Sequence, residues 1–260
     1  MRLGRVRAHK VLLREGTMND NLLTQMIYRI VTCCVSALAV LLTFRFFHNF
    51  YGSSALWEFA LSLDDLDWGF LKYYTNLSNW FVFGVSVTVL ADNVKRVRAG
   101  ERYGYNKVIP ALKFATTVMI FVTFAVYNFS FESVFALRYW RNLYNLTCHL
   151  FAPLLFIFDF VIFDEHGTAK AYYPIVSLIL PLTYVAGILI VGACVEGFGY
   201  PYAFLDVNRF GYAKVFLFVS ALVAVFTLVG YLMWLYNRLV RVDGKWRFRL
   251  RAGTCKNSRD

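Results

Sequence analysis

Six long apolar stretches constrain this chain more than any other feature of its sequence. A helix of about 20 apolar residues spans the ~30 Å hydrocarbon core of a bilayer. The predicted spans run from Leu22 to Phe47, Leu71 to Asp92, Val108 to Phe131, Trp140 to Phe163, Tyr173 to Glu196 and Ala213 to Val240. Lipid offers no water to satisfy backbone groups, so such segments are expected to be helical. The sequence therefore predicts an all-α polytopic membrane protein, a bundle of six transmembrane helices.

The composition supports this class over a soluble domain. Of the 260 residues, 59% are apolar and only 17% are charged, whereas soluble domains carry about 25% charged residues. The connections between spans are short, which leaves little room for a soluble domain. We predict three parts: a basic N-terminal segment (1–21), the membrane domain (22–240) and a basic tail (241–260).

The distribution of Lys and Arg predicts the orientation, because these residues are retained on the cytoplasmic side of span ends. They are concentrated in the N-terminal segment, the second connection and the tail. The first connection has none between His48 and Gly69 but contains four acidic residues. Both termini are therefore predicted to be cytoplasmic, with the cell membrane as the expected location. The basic residues flank spans, so the retention of positive charge on the cytoplasmic side explains the net charge of +11 better than nucleic-acid binding does. Membrane lipids are therefore the expected partners, and no nucleic acid is expected.

Two spans carry polar side chains that hydrocarbon would not tolerate without partners. Each set shares one helix face through steps of three and four residues. The sets are Thr75, Ser78 and Asn79 in the second span and Asn142, Asn145 and His149 in the fourth. Since an unpaired amide costs several kcal/mol in hydrocarbon, we expect the two polar stripes to face each other or a shared polar cavity toward the non-cytoplasmic side.

An ionisable side chain near the middle of a span is a functional-site hypothesis, and His149 is such a residue. A threonine hydroxyl becomes nucleophilic when a neighbouring base accepts its proton, and a neutral imidazole does this near neutral pH. Thr75 and His149 are therefore the candidate catalytic pair. Asn79, Asn76 or Asn145 could donate hydrogen bonds to a developing oxyanion. Asn145 could instead orient the imidazole.

The connection between spans five and six adds a predicted aromatic cap. Tyr200, Tyr202 and Phe204 are suited to the membrane interface and to admitting an acyl chain. Asp206 follows them and could reach down toward the site, and Asn142 is expected to line the same cavity. The five cysteines show no metal-binding spacing, so neither a metal nor another cofactor is expected.

Three motifs carry a resemblance to a known family. They are K-Y-Y-T-N-L-S-N from Lys72 to Asn79, N-L-T-C-H-L-F-A-P from Asn145 to Pro153, and Y-P-Y-A-F-L-D from Tyr200 to Asp206. Together they resemble the androgen-induced transmembrane threonine hydrolases, which act on fatty acid esters of hydroxy fatty acids, and their six-span bacterial relatives. The resemblance implies that Thr75 and His149 form a catalytic pair acting on a fatty-acyl ester.

The chain departs from that family at two positions. Leu146 stands where eukaryotic members carry a further histidine, and Ala203 replaces a proline common in the aromatic motif. The resemblance is therefore closer to the bacterial branch.

Two other functions stay open at this point. Polar stripes also join helices in non-catalytic membrane proteins, and intramembrane polar residues also serve small-solute or proton-coupled transporters. Asp159, deeper in the fourth span, is expected to be structural. Arg29 and Lys113 are expected to extend along their helices to the cytoplasmic surface.

Overall fold

Six membrane-length helices form almost all of the structure, a computed structural model that describes residues 20–43, 72–131, 143–242 and 248–250. We number them α1 (Leu22–Thr43), α2 (Tyr74–Arg98), α3 (Pro110–Val126, continued by a π-helical turn at Tyr127–Phe131), α4 (Leu143–Phe163), α5 (Tyr173–Cys194) and α6 (Val207–Leu239). All six are long and apolar enough to cross a membrane. The prediction of six membrane helices is confirmed, whereas the cytoplasmic location of the termini stays a prediction.

Two of the helices extend beyond their predicted spans. The second continues past Asp92 to Arg98, and its last turn carries basic residues that favour a helix C-terminus. The sixth begins at Val207 instead of Ala213 because Asp206 caps it. The carboxylate of Asp206 accepts hydrogen bonds from the backbone N–H groups of the second and third helical residues, at 3.0 and 3.1 Å.

Gly211 divides this capped turn from the rest of α6. Its backbone lies at φ 73° and ψ 157°, a conformation that glycine adopts without the penalty a Cβ atom would add. The apolar pattern that predicted a span from Ala213 therefore marks the part of α6 beyond this break.

Two of the apolar clusters between the helices each join three or more of them. One joins α2, α3 and α4 and consists of Val82, Val85, Val89, Ile120 and Phe156. The other joins α3 and α4 to α5 and α6 and consists of Phe114, Val118, Val122, Phe160, Tyr173 and Phe226. By contrast, α6 buries only Val215, Phe226, Gly230 and Asn237. Its many exposed apolar side chains are those of a helix that faces lipid.

A short antiparallel ladder follows α6. Strand β1 (Val240–Val242) pairs with strand β2 (Phe248–Leu250), and Val240 lies opposite Leu250. Helix α6 ends at Leu239, and the division of the chain into a membrane domain and two basic terminal segments stays a prediction. Most of the two terminal segments lies outside the described residues.

A buried ionic cluster, formed by Arg29, Lys113, Asp159 and Asp164, joins α1 and α3 to α4 and its end. The guanidinium of Arg29 donates from Nε to Asp159 Oδ1 at 2.9 Å. Lys113 Nζ is ion-paired with Asp159 Oδ2 and with Asp164. The expectation that Arg29 and Lys113 reach the surface was wrong, since they are only 1% and 3% exposed. Asp159 thus compensates two buried cations, as its expected structural role requires.

Two amide side chains also bind Arg29. Its Nη1 donates to Asn93 Oδ1 at 2.8 Å and to Gln25 Oε1 at 3.0 Å. Asn93 and Gln25 are fully buried, and Asn93 lies on the part of α2 that extends beyond the predicted span. The extension therefore brings α2 into contact with the ionic cluster.

Candidate functional site

A cavity with mainly apolar walls lies where α2 begins and α3 ends, which we call the threonine cavity. Its lining residues are Tyr74, Thr75, Val122, Thr123, Val126, Tyr127, Pro181, Tyr184, Val185, Tyr202, Phe204, Leu205, Leu222 and Phe226. The space open to the centre of a water-sized sphere is about 80 Å³. One water needs ~10–15 Å³ of such space, so the cavity accommodates several waters or part of an acyl chain.

Thr75 lies in the first turn of α2, where backbone N–H groups have no partner within the helix. Tyr202, from the connection before α6, supplies one. Its phenol oxygen accepts a hydrogen bond from the backbone N–H of Tyr74 at 3.0 Å, and a further hydrogen bond joins the phenol to the Thr75 side chain. The sequence placed Tyr202 in an aromatic cap, and the structure makes it a direct partner of Thr75.

Burial controls the protonation of Tyr202. It raises the pKa of the phenol above its ordinary value, and the hydrogen bond with Thr75 opposes that effect only partly. Tyr202 therefore stays a neutral phenol at physiological pH, able to donate or accept a hydrogen bond at the threonine hydroxyl.

A second tyrosine holds the same helix start and was missed from the sequence. The hydroxyl of Tyr184, on α5, donates to the backbone carbonyl of Lys72. Its ring packs on Tyr74 with centroids 5.1 Å apart, and Tyr74 in turn packs on Phe226 at 5.9 Å. Nothing in the sequence of a mostly lipid-exposed helix distinguishes Tyr184 from a membrane-interface tyrosine.

His149 is buried within α4, in a π-helical turn at Leu146–Phe151. Its imidazole stacks face to face on the ring of Tyr127, with centroids 3.3 Å apart and planes 8° from parallel. Tyr144 contacts it edge-on at 5.4 Å. Tyr127 also belongs to a π-helical turn, and such turns occur frequently at functional sites.

Tyr127 links the two predicted catalytic residues. It lines the threonine cavity together with Thr75, and it stacks on His149, which does not itself line that cavity. Its hydroxyl donates to Asn145 Oδ1 at 2.7 Å, so Asn145 orients Tyr127. Tyr127 thus lies between the threonine cavity, which Thr75 also lines, and the buried imidazole of His149.

The polar side chains of α2 contact α4, whereas Asn145 and His149 of α4 contact Tyr127 of α3. Asn79 Nδ2 donates to the backbone carbonyls of Thr75 at 2.9 Å and of Cys148 at 3.0 Å. The hydroxyl of Tyr144 donates to Asn76 Oδ1. Asn79 therefore ties the two helices beside the candidate pair, and its donors are occupied in this arrangement.

Asn128 is a further residue of this region that the sequence did not reveal. It is buried on the π-helical extension of α3, and its Nδ2 donates to the carbonyl of His149 at 2.8 Å and to that of Phe124 at 2.8 Å. A lone asparagine in an apolar span gave no face pattern that would have predicted this contact. It fixes the backbone of the residue that carries the imidazole.

The remaining predicted site residues fall in different places. Phe204 lines the threonine cavity and stacks on Tyr202 at 5.3 Å. Tyr200 packs against Gly192 of α5 instead, and Asp206 serves as the cap of α6. Asn142 lies outside the described residues. Within the described ranges, no three His, Cys, Asp or Glu side chains are grouped so that they could hold a metal ion.

Comparison with protein-family models, curated proteins and solved structures finds no match to this chain. The fold and the site define a six-helix protein of membrane type, in which a half-buried threonine borders an apolar cavity and a buried imidazole lies one aromatic ring away.

Proposed function

We propose that this protein is an intramembrane hydrolase of fatty-acyl esters, related to the androgen-induced hydrolases, with Thr75 as nucleophile and His149 as base. One observation carries the proposal: Thr75 lines a mainly apolar cavity, and another residue of its wall, Tyr127, stacks on the buried His149. An ester of a fatty acid needs this combination, because its acyl chain is apolar whereas its reacting carbonyl must meet a hydroxyl and a base.

The proposed reaction proceeds through a covalent intermediate. Thr75 Oγ1 attacks the ester carbonyl carbon while its proton passes to His149. The tetrahedral intermediate collapses as the C–O bond to the alcohol breaks, and the imidazolium returns the proton to the departing oxygen. Water, deprotonated by His149, then attacks the acyl-threonine and releases the fatty acid and free Thr75.

This reaction requires Tyr127 to move. A general base acts within about 2.6–3.2 Å of the proton donor, and catalytic hydrogen bonds often form only when substrate is bound. Rotation of the Tyr127 ring away from His149 would break the stack and the hydrogen bond to Asn145, and would open the imidazole to the threonine cavity. We therefore interpret the described arrangement as the closed state of the site.

The tyrosine and asparagine side chains around Thr75 have distinct proposed roles. The neutral phenol of Tyr202 is adjacent to the hydroxyl that would attack, so it is suited to hold that hydroxyl in position for the attack. Asn79 positions the two helices through its bonds to the carbonyls of Thr75 and Cys148. Asn76 and Asn145 hold the tyrosines that contact His149.

The proposal is tested with purified protein and a panel of fatty-acyl esters of graded chain length. We expect hydrolysis by the wild type and a loss of about 10²- to 10⁴-fold in His149→Ala, with a comparable loss in Thr75→Ala. The matched control is Thr88→Ala, because Thr88 lies on the same helix and its hydroxyl bonds the backbone of Gly84. Equal rates in the wild type and in both site variants would reject the hydrolase.

Transport is the second candidate, favoured by the buried ionic cluster. Ionisable residues within membrane spans often mark proton or ion pathways. Asp159 is such a residue, and it forms ion pairs with the side chains of Arg29 and Lys113 inside the bundle. A transporter would move protons or solute across proteoliposome membranes, and that movement would survive Thr75→Ala. A protein that shows neither hydrolysis nor movement would be a non-catalytic membrane component.

We also propose that the protein resides in the cell membrane with both termini in the cytoplasm. Basic residues at the end of α2, including Lys95, Arg96 and Arg98, support this orientation through the retention of positive charge on the cytoplasmic side. In that orientation the threonine cavity lies toward the outer leaflet.

A further inference from the structure

A second cavity lies at the opposite end of α3 from the threonine cavity. It has a volume of about 330 Å³, at the lower end of the range of ~300–1,000 Å³ typical of ligand pockets. It opens where α3 begins, α4 ends and α5 begins. We call it the charged cavity, because both lysines and carboxylates line it. The lysines are Lys107, Lys113 and Lys170, and the carboxylates are those of Asp164 and Glu165.

The lysines differ in their surroundings. Lys113 is almost fully buried and is ion-paired with Asp159 and Asp164. Lys107 and Lys170 are exposed, one before α3 and one before α5. Two exposed ammonium groups on one cavity attract the negative charge of a phosphate.

The carboxylates would oppose a purely anionic ligand. Glu165 and Asp164 are only half-buried and line the same space as the two exposed lysines. Burial raises the pKa of Asp164 even though Lys113 acts in the opposite direction. An ammonium group brought by a ligand would lower the cost of keeping this carboxylate ionised.

The remaining wall is apolar and aromatic. Phe114, Phe160 and Tyr173 line the cavity and belong to the buried cluster that joins α3 and α4 to α5 and α6. A ligand here would therefore meet charged side chains of both signs near the end of the bundle and apolar side chains further in. A phospholipid matches this order, because its charged headgroup is followed by its hydrocarbon chains.

We infer that the charged cavity binds the headgroup of a zwitterionic phospholipid of the phosphoethanolamine type. Lys107 and Lys170 would hold the phosphate, and Glu165 with Asp164 would hold the ammonium. A lipid phosphate without an ammonium would be repelled by the carboxylate of Glu165, and an amine without phosphate would be repelled by the lysines. The inference does not depend on the hydrolase, because the two cavities lie at opposite ends of α3.

The test measures binding to the purified full-length chain in detergent. The probes are short-chain phosphatidylethanolamine, short-chain phosphatidylglycerol, free phosphoethanolamine and inorganic phosphate, each titrated while the thermal midpoint or intrinsic fluorescence is followed. We expect phosphatidylethanolamine to bind at least tenfold more tightly than phosphatidylglycerol, and free phosphoethanolamine to compete with it. Equal affinity for the two lipids would overturn the inference, as would competition by inorganic phosphate as strong as that by phosphoethanolamine.

Variants separate the two halves of the site. The double variant K107A/K170A should weaken the binding of both lipids tenfold or more, because it removes the two lysines that would hold the phosphate. Glu165→Gln should weaken the binding of phosphatidylethanolamine alone. The preference of the protein for phosphatidylethanolamine over phosphatidylglycerol should therefore fall several-fold. Lys95→Ala is the matched control, since Lys95 is an exposed lysine in the last turn of α2, outside the cavity.

The altered side chains are exposed or half-buried, so the variants are expected to fold, and their thermal midpoints without lipid verify this. An unchanged lipid preference in Glu165→Gln would contradict the assignment of the ammonium. A loss in Lys95→Ala equal to that in the double variant would show attraction to general surface charge and would also overturn the inference.

Discussion

Replacement of Tyr127 by phenylalanine should make His149 more accessible. The closed arrangement rests on the stack with His149 and on the hydrogen bond from the Tyr127 hydroxyl to Asn145. Tyr127→Phe keeps the ring and removes only that hydrogen bond, whose net worth is about 1 kcal/mol, within a range of about 0.5–1.5 kcal/mol. With RT near 0.6 kcal/mol, the open population should rise about fivefold, within limits of about twofold and thirteenfold.

The measurement is the rate at which diethyl pyrocarbonate modifies His149, read by mass spectrometry of the digested protein. His166 lies outside the site and provides an internal reference in the same sample. Tyr127→Ala should give a larger increase, because it also removes the stack, worth about 0.5–1.5 kcal/mol. Tyr144→Phe is the matched control, since Tyr144 contacts His149 edge-on and bonds Asn76 instead.

The refuting result is a rate of His149 modification that does not change, or that falls, in Tyr127→Phe while the thermal midpoint stays within a few degrees of the wild type. Such a result would show that Tyr127 does not control access to the imidazole. It would leave the hydrolase without a route by which Thr75 and His149 meet.

Three further predictions follow from other contacts. Asp159→Asn should destabilise the protein by about 3–5 kcal/mol, because it leaves two buried cations undercompensated; thermal unfolding in detergent measures this, and a loss below about 1 kcal/mol would contradict the ionic cluster. Tyr202→Phe should cost about 1 kcal/mol through loss of its bond to the start of α2 and should lower ester hydrolysis, whereas Tyr200→Phe should change hydrolysis little; equal hydrolysis rates would remove Tyr202 from the site. Cys194, exposed at the end of α5, should react with a membrane-impermeant maleimide added outside intact cells, and reaction only after lysis would reverse the proposed orientation.

The number and the approximate ends of the helices could be predicted from the sequence, because membrane crossing depends on apolar length, a local property. A contact of the α2 amides with α4 could also be predicted, since amides in hydrocarbon need partners. The contacts of Asn145 and His149 with Tyr127 of α3 could not. The aromatic residue beside Thr75 was predicted only as part of a cap. That Tyr202 folds back onto the start of α2 depends on the path of a whole connection, which no local pattern defines.

The position of His149 could not be predicted because of its backbone. The shared face of Asn145 and His149 assumed 3.6 residues per turn, but a π-helical turn accommodates an extra residue and changes the direction of the side chains within it. Asn145 consequently bonds Tyr127, and the imidazole stacks on the same tyrosine. The pairing of Arg29 and Lys113 with Asp159 was missed for a related reason, since it depends on how three helices are rotated about their axes.

The buried ionic cluster also has a consequence for biogenesis. Arg29 enters the membrane with the first helix, long before the ribosome has made Asp159, and a central arginine costs about 2.5–3.5 kcal/mol on insertion scales. Until the fourth helix arrives, the nascent chain must hold this cation near the lipid surface or in the insertion machinery. Chains that stop before Asp159 therefore leave Arg29 without its carboxylate partner, and the synthesis of Asp159 is the step that compensates this cation.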